Sequence, residues 1–121
     1  MNRRQLGMSG EAAAARFLVE MGYEIIGRNV RFRAGELDLI ARDGPTVVFV
    51  EVKTRLSAKV GTGEEAITLG KQRQLTRLAE LYLAREGGPL PYCRFDVVIV
   101  TAAADGWHCR HLPNAFLPSS W

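Results

Sequence analysis

Apolar residues recur at helical spacing in two stretches of the chain. The first runs from about Arg4 to Met21, and Gly22 follows it as a natural C-terminal stop. The second runs from about Thr68 to Glu86 and is followed by Gly87-Gly88-Pro89. In both stretches alanine, leucine and aromatic residues lie three and four positions apart, so each gives one apolar side. Two amphipathic helices are predicted.

The remaining apolar residues alternate with polar ones or run together, which is typical of strands. The predicted strands are Tyr23–Arg33, Glu36–Arg42, Thr46–Thr54, residues 92–100 and a short edge strand, Trp107–Leu112. Asp43-Gly44-Pro45 predicts a hairpin turn between the second and third strands. Residues 56–63 are expected to form a glycine-containing loop. The order α-β-β-β-α-β-β predicts an α/β domain with a central mixed sheet flanked by helices on both faces.

Length and composition predict one domain over residues 1–121, with residues 113–121 as a C-terminal tail without predicted secondary structure. The chain is 47% hydrophobic and 24% charged, as ordinary globular proteins are. No apolar run is long enough for a membrane span, so no membrane partner is expected. The start, MNRRQLGMSGEAAAARF, has charge without the apolar core of a signal peptide, and two cysteines suit a reducing compartment. We therefore expect a cytoplasmic protein.

Positive charge surrounds an acidic stretch of the chain. The net charge is +3 and the sequence pI is about 9.2, which permits an anionic partner without requiring one. Basic residues precede the stretch, follow it and open the second helix: Arg28, Arg31, Arg33, Arg55, Lys59, Lys71, Arg73 and Arg77. Candidate contacts to nucleic-acid phosphates are Arg31, Arg33, Arg55, Lys71 and Arg73. A solvated surface is the alternative.

The acidic stretch, GELDLIARDGPTVVFVEVKTR, places charges inside the predicted hairpin. A loop centred between Gly44 and Pro45 would pair Asp43 with Thr46. In that register Asp38 lies opposite Glu51, and Glu36 lies opposite Lys53. Because side chains alternate across a strand, these four would share one face at one end of the hairpin. Ile40 and Phe49 would continue this face, and the other face would carry Leu37, Leu39, Val48, Val50 and Val52.

Two opposed carboxylates require a cation or a shared proton. Oxygen ligands from Asp38 and Glu51 suit Mg²⁺ or Mn²⁺. Lys53, on the same face, would reach a metal-bound water or the phosphate that it attacks, and this combination is typical of phosphodiester cleavage. A three-residue loop would shift the register and separate the carboxylates. A structural salt-bridge cluster, with Glu36–Lys53 and Asp38–Arg55 pairs, is the alternative interpretation.

Glu11 is a carboxylate on the apolar side of the first helix. It lies one turn before Ala14 and Ala15 and two turns before Leu18. A functional role would explain an acid in that place. The alternative is a carboxylate near the helix N-terminus that the helix dipole favours.

These residues resemble a known family. Asp38 followed by Glu51-Val52-Lys53 resembles the PD-(D/E)xK signature of restriction-endonuclease-like nucleases, with Leu37 where that signature has proline. A longer run resembles the YraN-like family of small uncharacterised bacterial proteins, which is akin to archaeal Holliday junction resolvases. The run consists of GEAAAARFLVEMGYEIIGRNVRFRAGELDLIARD, VFVEVKTR, glutamates 64 and 65, Lys71 and RFDVV, within residues 7 to about 100.

The resemblance implies a restriction-endonuclease-like domain and a metal-dependent endonuclease acting on DNA, including branched or junction DNA. Asp38 and Glu51 would bind Mg²⁺ or Mn²⁺ with the Val52 carbonyl, Lys53 would be the catalytic lysine, and Glu11 would complete the site. Junction resolvases of this fold are dimers, so the resemblance also implies a homodimer. The alternative class is a non-catalytic module that binds nucleic acid or a protein and retains the nuclease fold.

Two further groups of polar residues are assigned a structural role. Asp96 interrupts a buried strand, so Arg94 or a backbone donor is expected to neutralise it. Cys93, His108, Cys109 and His111 match no established zinc-binding spacing. His108 and Cys109 would also point to opposite faces of a strand, and zinc binding is not predicted.

Overall fold

The computed structural model describes residues 2–56 and 67–118 of the chain. These residues contain two helices and five strands in the predicted order. The elements are α1 (Arg3–Glu20), β1 (Glu24–Phe32), β2 (Gly35–Asp43), β3 (Thr46–Arg55), α2 (Leu69–Glu86), β4 (Tyr92–Ala103) and β5 (Gly106–Phe116). Part of the predicted 56–63 loop, Lys59 and glutamates 64 and 65 lie outside the described residues.

One mixed sheet forms the centre of the molecule. The strands follow one another in the order β1-β2-β3-β4-β5, and every pairing is antiparallel except β3–β4. The parallel pair needs a crossover connection, which contains α2. The two helices pack against different core clusters. This arrangement confirms the predicted α/β class with a mixed sheet and two helices.

Each face of the sheet has its own apolar core. The α1 core combines helix residues with side chains of β2, β3 and β4: Ala14, Ala15, Leu18, Leu39, Ala41, Val48, Val50, Val98 and Val100. The α2 core is larger and includes Leu37, Ile40, Val47, Phe49, Leu75, Leu78, Ala79, Tyr82, Phe95, Val97 and Ile99. Burial on both faces explains why the central strands are nearly continuous apolar runs.

The helix ends carry ordinary capping signals. Asn2 and Gln5 form a capping box at the start of α1, and the Thr68 hydroxyl accepts a hydrogen bond of 3.1 Å from the Lys71 backbone N–H at the start of α2. Gly87 ends α2 with a φ of 72°. Neither helix in the described part of the chain combines the length and apolar character that crossing a membrane requires.

The predicted hairpin register is confirmed from Asp43–Thr46 to Leu39–Val50. The ladder ends there and does not continue to Asp38 and Glu51. The prediction that Leu37 shares a face with Leu39 is wrong, because Leu37 packs in the α2 core and Leu39 in the α1 core. The regular alternation of β2 is therefore broken around Asp38.

The edge strand β5 is longer than predicted. It extends through Phe116, so Pro113–Phe116, which the sequence analysis left without secondary structure, belong to the sheet. Phe116 pairs with Phe95 across the strands, and the two rings stack with centroids 4.6 Å apart. Pro113 lacks an N–H, which an edge strand tolerates. The apolar signal of a single aromatic residue after a proline was too weak to predict this extension.

Candidate active site

Asp38 lies where β2 and β3 separate. Because the ladder stops at Leu39–Val50, the Val52 backbone N–H is not taken up by it. Val52 N instead donates to the Asp38 carboxyl group, with 2.9 Å between the nitrogen and Oδ2. The side chain of Asp38 thus replaces a backbone acceptor and is held against β3 beside Glu51.

Asp38 and Glu51 form a coupled pair of carboxyl groups. Burial, a hydrogen bond to the Glu51 side chain and the charge of Glu51, in decreasing order of effect, raise the pKa of Asp38 to about 9. Nearby Glu11 adds a smaller effect of the same sign, whereas the bond from Val52 N–H opposes it. Asp38 therefore holds a proton at neutral pH and shares it with Glu51.

Glu51 is positioned on the α2 side of the sheet. Its neighbours Val50 and Val52 pack towards α1, so alternation directs Glu51 and Lys53 the other way. The Glu51 side chain is only 12% exposed. Its Oε2 atom is buried and accepts no hydrogen bond from the described residues. Buried carboxylate oxygens are normally satisfied, so this atom is suited to bind a cation.

Lys71 supplies one positive charge to this oxygen. Its Nζ lies 3.3 Å from Glu51 Oε2, within ion-pair distance but outside hydrogen-bonding geometry. The side chain comes from the first turn of α2, where Thr68 caps the helix. The sequence predicts Lys71 as a phosphate contact, and in the structure it lies against a candidate metal ligand.

Lys53 is half-buried on β3, two residues beyond Glu51. Within residues 2–56 and 67–118 its side chain makes no ion pair or hydrogen bond. The Glu36–Lys53 pair of the salt-bridge interpretation is not formed between these described residues. Glu36 instead lies 3.0 Å from the Arg31 guanidinium across the β1–β2 ladder.

Glu11 reaches the site from the opposite helix. Its Oε1 accepts a hydrogen bond of 2.6 Å from the side-chain amide of Asn29, and the same nitrogen donates to Glu36 Oε1 at 2.7 Å. The helix comes close to β3 at Gly10, where an added Cβ would lie 2.3 Å from the Thr54 hydroxyl oxygen. Glycine at that position brings Glu11 to the sheet.

Asn29 is a polar residue of the site that the sequence analysis missed. It lies within the predicted strand YEIIGRNVRFR, where its neighbours drew attention only as basic residues. Asparagine is depleted in strands, and its presence in one is the signal that could have identified it.

The donor atoms around Asp38 and Glu51 are all oxygens, which bears on the kind of cation that they suit. Within the described residues no group of three His, Cys, Asp or Glu side chains is arranged to hold one ion. Two carboxylates are adjacent, however, and the Val52 carbonyl belongs to the residue that donates to Asp38. An all-oxygen set with one unsatisfied buried carboxylate oxygen fits Mg²⁺ or Mn²⁺, since Mg²⁺ usually takes one or two carboxylates and keeps several waters.

The candidate phosphate-binding residues collect at one end of the sheet. The C-terminal ends of β1 and β3 lie at the same end, because β2 runs antiparallel to both, and α2 begins after β3. Arg31, Arg33 and Arg55 therefore share this end with the carboxylates. Arg33 and Arg73 are exposed, and the Arg31 side chain is 79% exposed although it pairs with Glu36.

One cavity lies away from these groups. It has a volume of about 230 Å³ and lies at the other end of α2, lined by Tyr82, Glu86, Gly87 and Pro89 among others. A smaller cavity of about 90 Å³ lies between α1 and β1 and is lined by Glu11 and Asn29. This smaller cavity adjoins the carboxylate cluster.

The predicted neutralising partners of Asp96, Arg94 and a backbone donor, are confirmed. Its buried carboxylate accepts hydrogen bonds from Arg94 Nε at 3.0 Å and from the Asn114 backbone N–H at 2.9 Å, and it lies 2.7 Å from His111 Nε2. Arg94 also bonds Asp43, at 3.1 Å. The cysteines and histidines do not gather: Cys93 packs at the α2 core and Cys109 at the α1 core.

Fold and site define a single-domain α/β protein that gathers two carboxyl groups and two lysines at one end of a mixed sheet. The profile of the "Uncharacterised protein family UPF0102" matches residues 10–100. The chain belongs to this family, which confirms the YraN-like resemblance. A UPF0102 protein of Symbiobacterium thermophilum is 60% identical over 114 residues, covering 93% of this chain and 97% of that protein.

Similar relatives occur in other bacteria. A UPF0102 protein of Caldicellulosiruptor saccharolyticus is 55% identical over 100 residues, which cover 83% of this chain and 85% of the relative. A UPF0102 protein of Geobacter metallireducens is 42% identical over 116 residues, which cover 96% and 95% of the two chains. The relatives thus span most of the same domain.

Proposed function

We propose that this protein is a divalent-metal-dependent nuclease that hydrolyses DNA phosphodiester bonds. The observation that carries the proposal is the Asp38–Glu51 pair, which shares a proton and leaves a buried Glu51 oxygen without a hydrogen bond from the described residues. Burying two adjacent carboxyl groups costs free energy of folding unless a cation binds them. Lys53 lies two residues further along the same strand.

Each residue of the site has a distinct role in the proposed reaction. Asp38, Glu51 and the Val52 carbonyl would hold Mg²⁺ or Mn²⁺, and the ion, when bound, stabilises negative charge on the phosphate and makes water more acidic. Lys53 donates a hydrogen bond to the attacking water or to a phosphate oxygen, since an ammonium group has donors only. Lys71, whose Nζ lies 3.3 Å from Glu51 Oε2, would contact a phosphate of the substrate.

DNA is the proposed substrate, with branched or junction DNA as the form that the family resemblance implies. Arg31, Arg33, Arg55 and Arg73 supply positive charge around the carboxylates, and exposed guanidinium groups suit contacts to the phosphate backbone. These contacts fix the position of the backbone and carry no base sequence. The proposed nuclease therefore selects DNA by shape.

A cleavage screen over branched, nicked and linear DNAs with Mg²⁺ or Mn²⁺ tests the proposal. The wild type is expected to cleave at least one of them, and Asp38→Asn is expected to lose that activity. Glu24→Gln, at the other end of β1, removes an exposed carboxylate and is the matched control. Equal cleavage by wild type and Asp38→Asn would assign the activity to a contaminant.

One contact favours a second candidate function. The Glu51–Lys71 ion pair, at 3.3 Å, neutralises the carboxylate without any metal ion. That contact is compatible with a non-catalytic module that binds nucleic acid or a protein partner. Tight binding of DNA with no cleavage of any substrate in the screen would support this second function.

A further inference from the structure

Asn29 adopts a backbone conformation that few residues tolerate. Its φ is 48°, and the other described non-glycine residue with positive φ is also an asparagine, Asn114. Asn29 lies in β1, opposite Asp38 of β2. The β1–β2 ladder pairs Arg28 with Leu39 and Val30 with Leu37, and it skips the position between them. Positive φ is uncommon for L-residues and least unfavourable for asparagine, so the surroundings must hold it.

The side chain of Asn29 connects two elements of the site. Its amide nitrogen lies 2.6 Å from Glu11 Oε1 on α1 and 2.7 Å from Glu36 Oε1 on β2. An amide NH₂ has two N–H donors, so one hydrogen is available for each carboxylate. Hydrogen bonds to ionised acceptors are short and comparatively strong, which suits both distances.

A neutral donor at this position orients Glu11 without cancelling its charge. The Arg31 guanidinium lies 3.0 Å from Glu36 and balances its negative charge. Among the described residues, the Glu11 side chain makes its polar contact with Asn29. A lysine here would compete with a bound cation, and an aspartate would repel both carboxylates. The adjoining cavity of about 90 Å³, lined by Glu11 and Asn29, has room for water beside the oriented carboxylate.

We propose that Asn29 is a positioning residue of the nuclease site, which holds the Glu11 carboxylate beside Asp38 so that Glu11 binds a water of the hydrated metal ion. The inference rests on the proposed function, because it assumes a cation at Asp38 and Glu51. Asn29 acts through Glu11 and touches neither substrate nor metal.

The test compares Asn29→Gly with Asn114→Gly. Glycine adopts positive φ without strain, so each variant keeps the backbone and loses only an amide side chain. Mn²⁺ is titrated while the melting temperature is followed, since an ion that binds only the folded state stabilises it. The dissociation constant for Mn²⁺, fitted from the rise of the melting temperature with Mn²⁺ concentration, is expected to increase about tenfold in Asn29→Gly, as for other groups that orient metal-site residues, and to stay unchanged in Asn114→Gly.

A double variant separates positioning from a general structural role. In a protein that already carries Glu11→Gln, adding Asn29→Gly should have no further effect on the Mn²⁺ response. The first substitution has removed the charge that Asn29 orients. The same titration on Asn29→Ser, which is too short to bridge both carboxylates, provides a second variant with an expected rise similar to that of Asn29→Gly.

The outcomes are distinguishable from failure of the proposed function. An unchanged Mn²⁺ dissociation constant in both Asn29 variants, with a normal wild-type response, overturns the positioning role alone. Additive losses in Glu11→Gln with Asn29→Gly also overturn it. A wild-type protein whose melting temperature does not respond to Mn²⁺ overturns the metal site and this inference together.

Discussion

At the scale of single residues, the proton shared by Asp38 and Glu51 has a measurable consequence for stability. The pKa of Asp38 is raised to about 9 in the folded protein from an ordinary value of 3.8. The folded state therefore binds more protons than the unfolded state between these values, and this contribution is complete below pH 4 and declines as pH rises towards 9. The free protein should lose stability across that window.

Asp38→Asn should remove this dependence. Asparagine resembles the protonated acid: its oxygen can accept from Val52 N–H and its amide can donate to Glu51. The variant is expected to be more stable than wild type at pH 8 by about 1–2 kcal/mol, the scale of one poorly satisfied buried group. Melting curves from pH 4 to 9 without metal give the measurement, and Glu24→Gln should keep the wild-type slope. A wild-type slope in Asp38→Asn would contradict the shared proton.

Lys53→Ala should abolish cleavage while metal binding and folding remain. Lysine does not ligate Mg²⁺, and among the described residues Lys53 makes no ion pair whose loss would destabilise the fold. The lost donor is expected to raise the barrier by roughly 3–4 kcal/mol, by analogy with a removed oxyanion donor. Cleavage rate and melting temperature are measured together. Undiminished cleavage in purified Lys53→Ala would exclude a catalytic role.

At the scale of elements, the close approach of α1 to β3 depends on Gly10. An added Cβ would lie 2.3 Å from Thr54 Oγ1 and 2.8 Å from Thr54 Cγ2. Gly10→Ala gains helix propensity, but the clash should outweigh it and destabilise the protein by about 1–3 kcal/mol. The added methyl group would also push α1 away from β3 and so move Glu11 away from the sheet.

Thr54→Ala provides the control for that prediction, because it removes both clashing atoms. The double variant should recover much of the stability lost by Gly10→Ala, as measured by chemical denaturation. Gly7→Ala is the matched substitution on the same helix, since no atom lies within 4 Å of its added Cβ. Equal effects at Gly7 and Gly10 would show that the close approach is unimportant.

Most helices and strands of this fold can be predicted from the sequence, whereas the local irregularities of the site cannot. Apolar periodicity predicts both helices and the five strands, and the Asp43-Gly44-Pro45 turn predicts the hairpin register as far as Leu39–Val50. Neither signal predicts the break in the side-chain alternation of β2 at Asp38, because a strand pattern assumes strict alternation. The break depends on a long-range contact, the bond from Val52 N–H to the Asp38 side chain. Asn29 was missed for a related reason, since its contacts come from α1 and β2.

At the scale of the whole molecule, the basic residues around the carboxylates predict a salt-dependent interaction. Lys71→Ala combined with Arg73→Ala should lower the slope of log affinity for DNA against log salt by about 1–2, since each lost phosphate contact contributes roughly 0.9. Arg16→Ala with Arg85→Ala removes the same charge elsewhere and is the control. Binding isotherms at several salt concentrations give both slopes, and equal slopes for the two double variants would argue against Lys71 and Arg73 as phosphate contacts.

The two asparagines with positive φ also affect how copies of the chain can associate. Asn29 lies in β1 and Asn114 in β5, and these strands are the two edges of the sheet. An unpaired edge strand is a template on which another chain can add, and proteins limit this by interrupting the extended backbone. Each edge here contains such an interruption, and the edge at β5 also contains Pro113. Joining of two sheets edge to edge is thereby disfavoured, so copies of this chain are expected to resist aggregation through their strands and to associate, where they do, through side-chain surfaces.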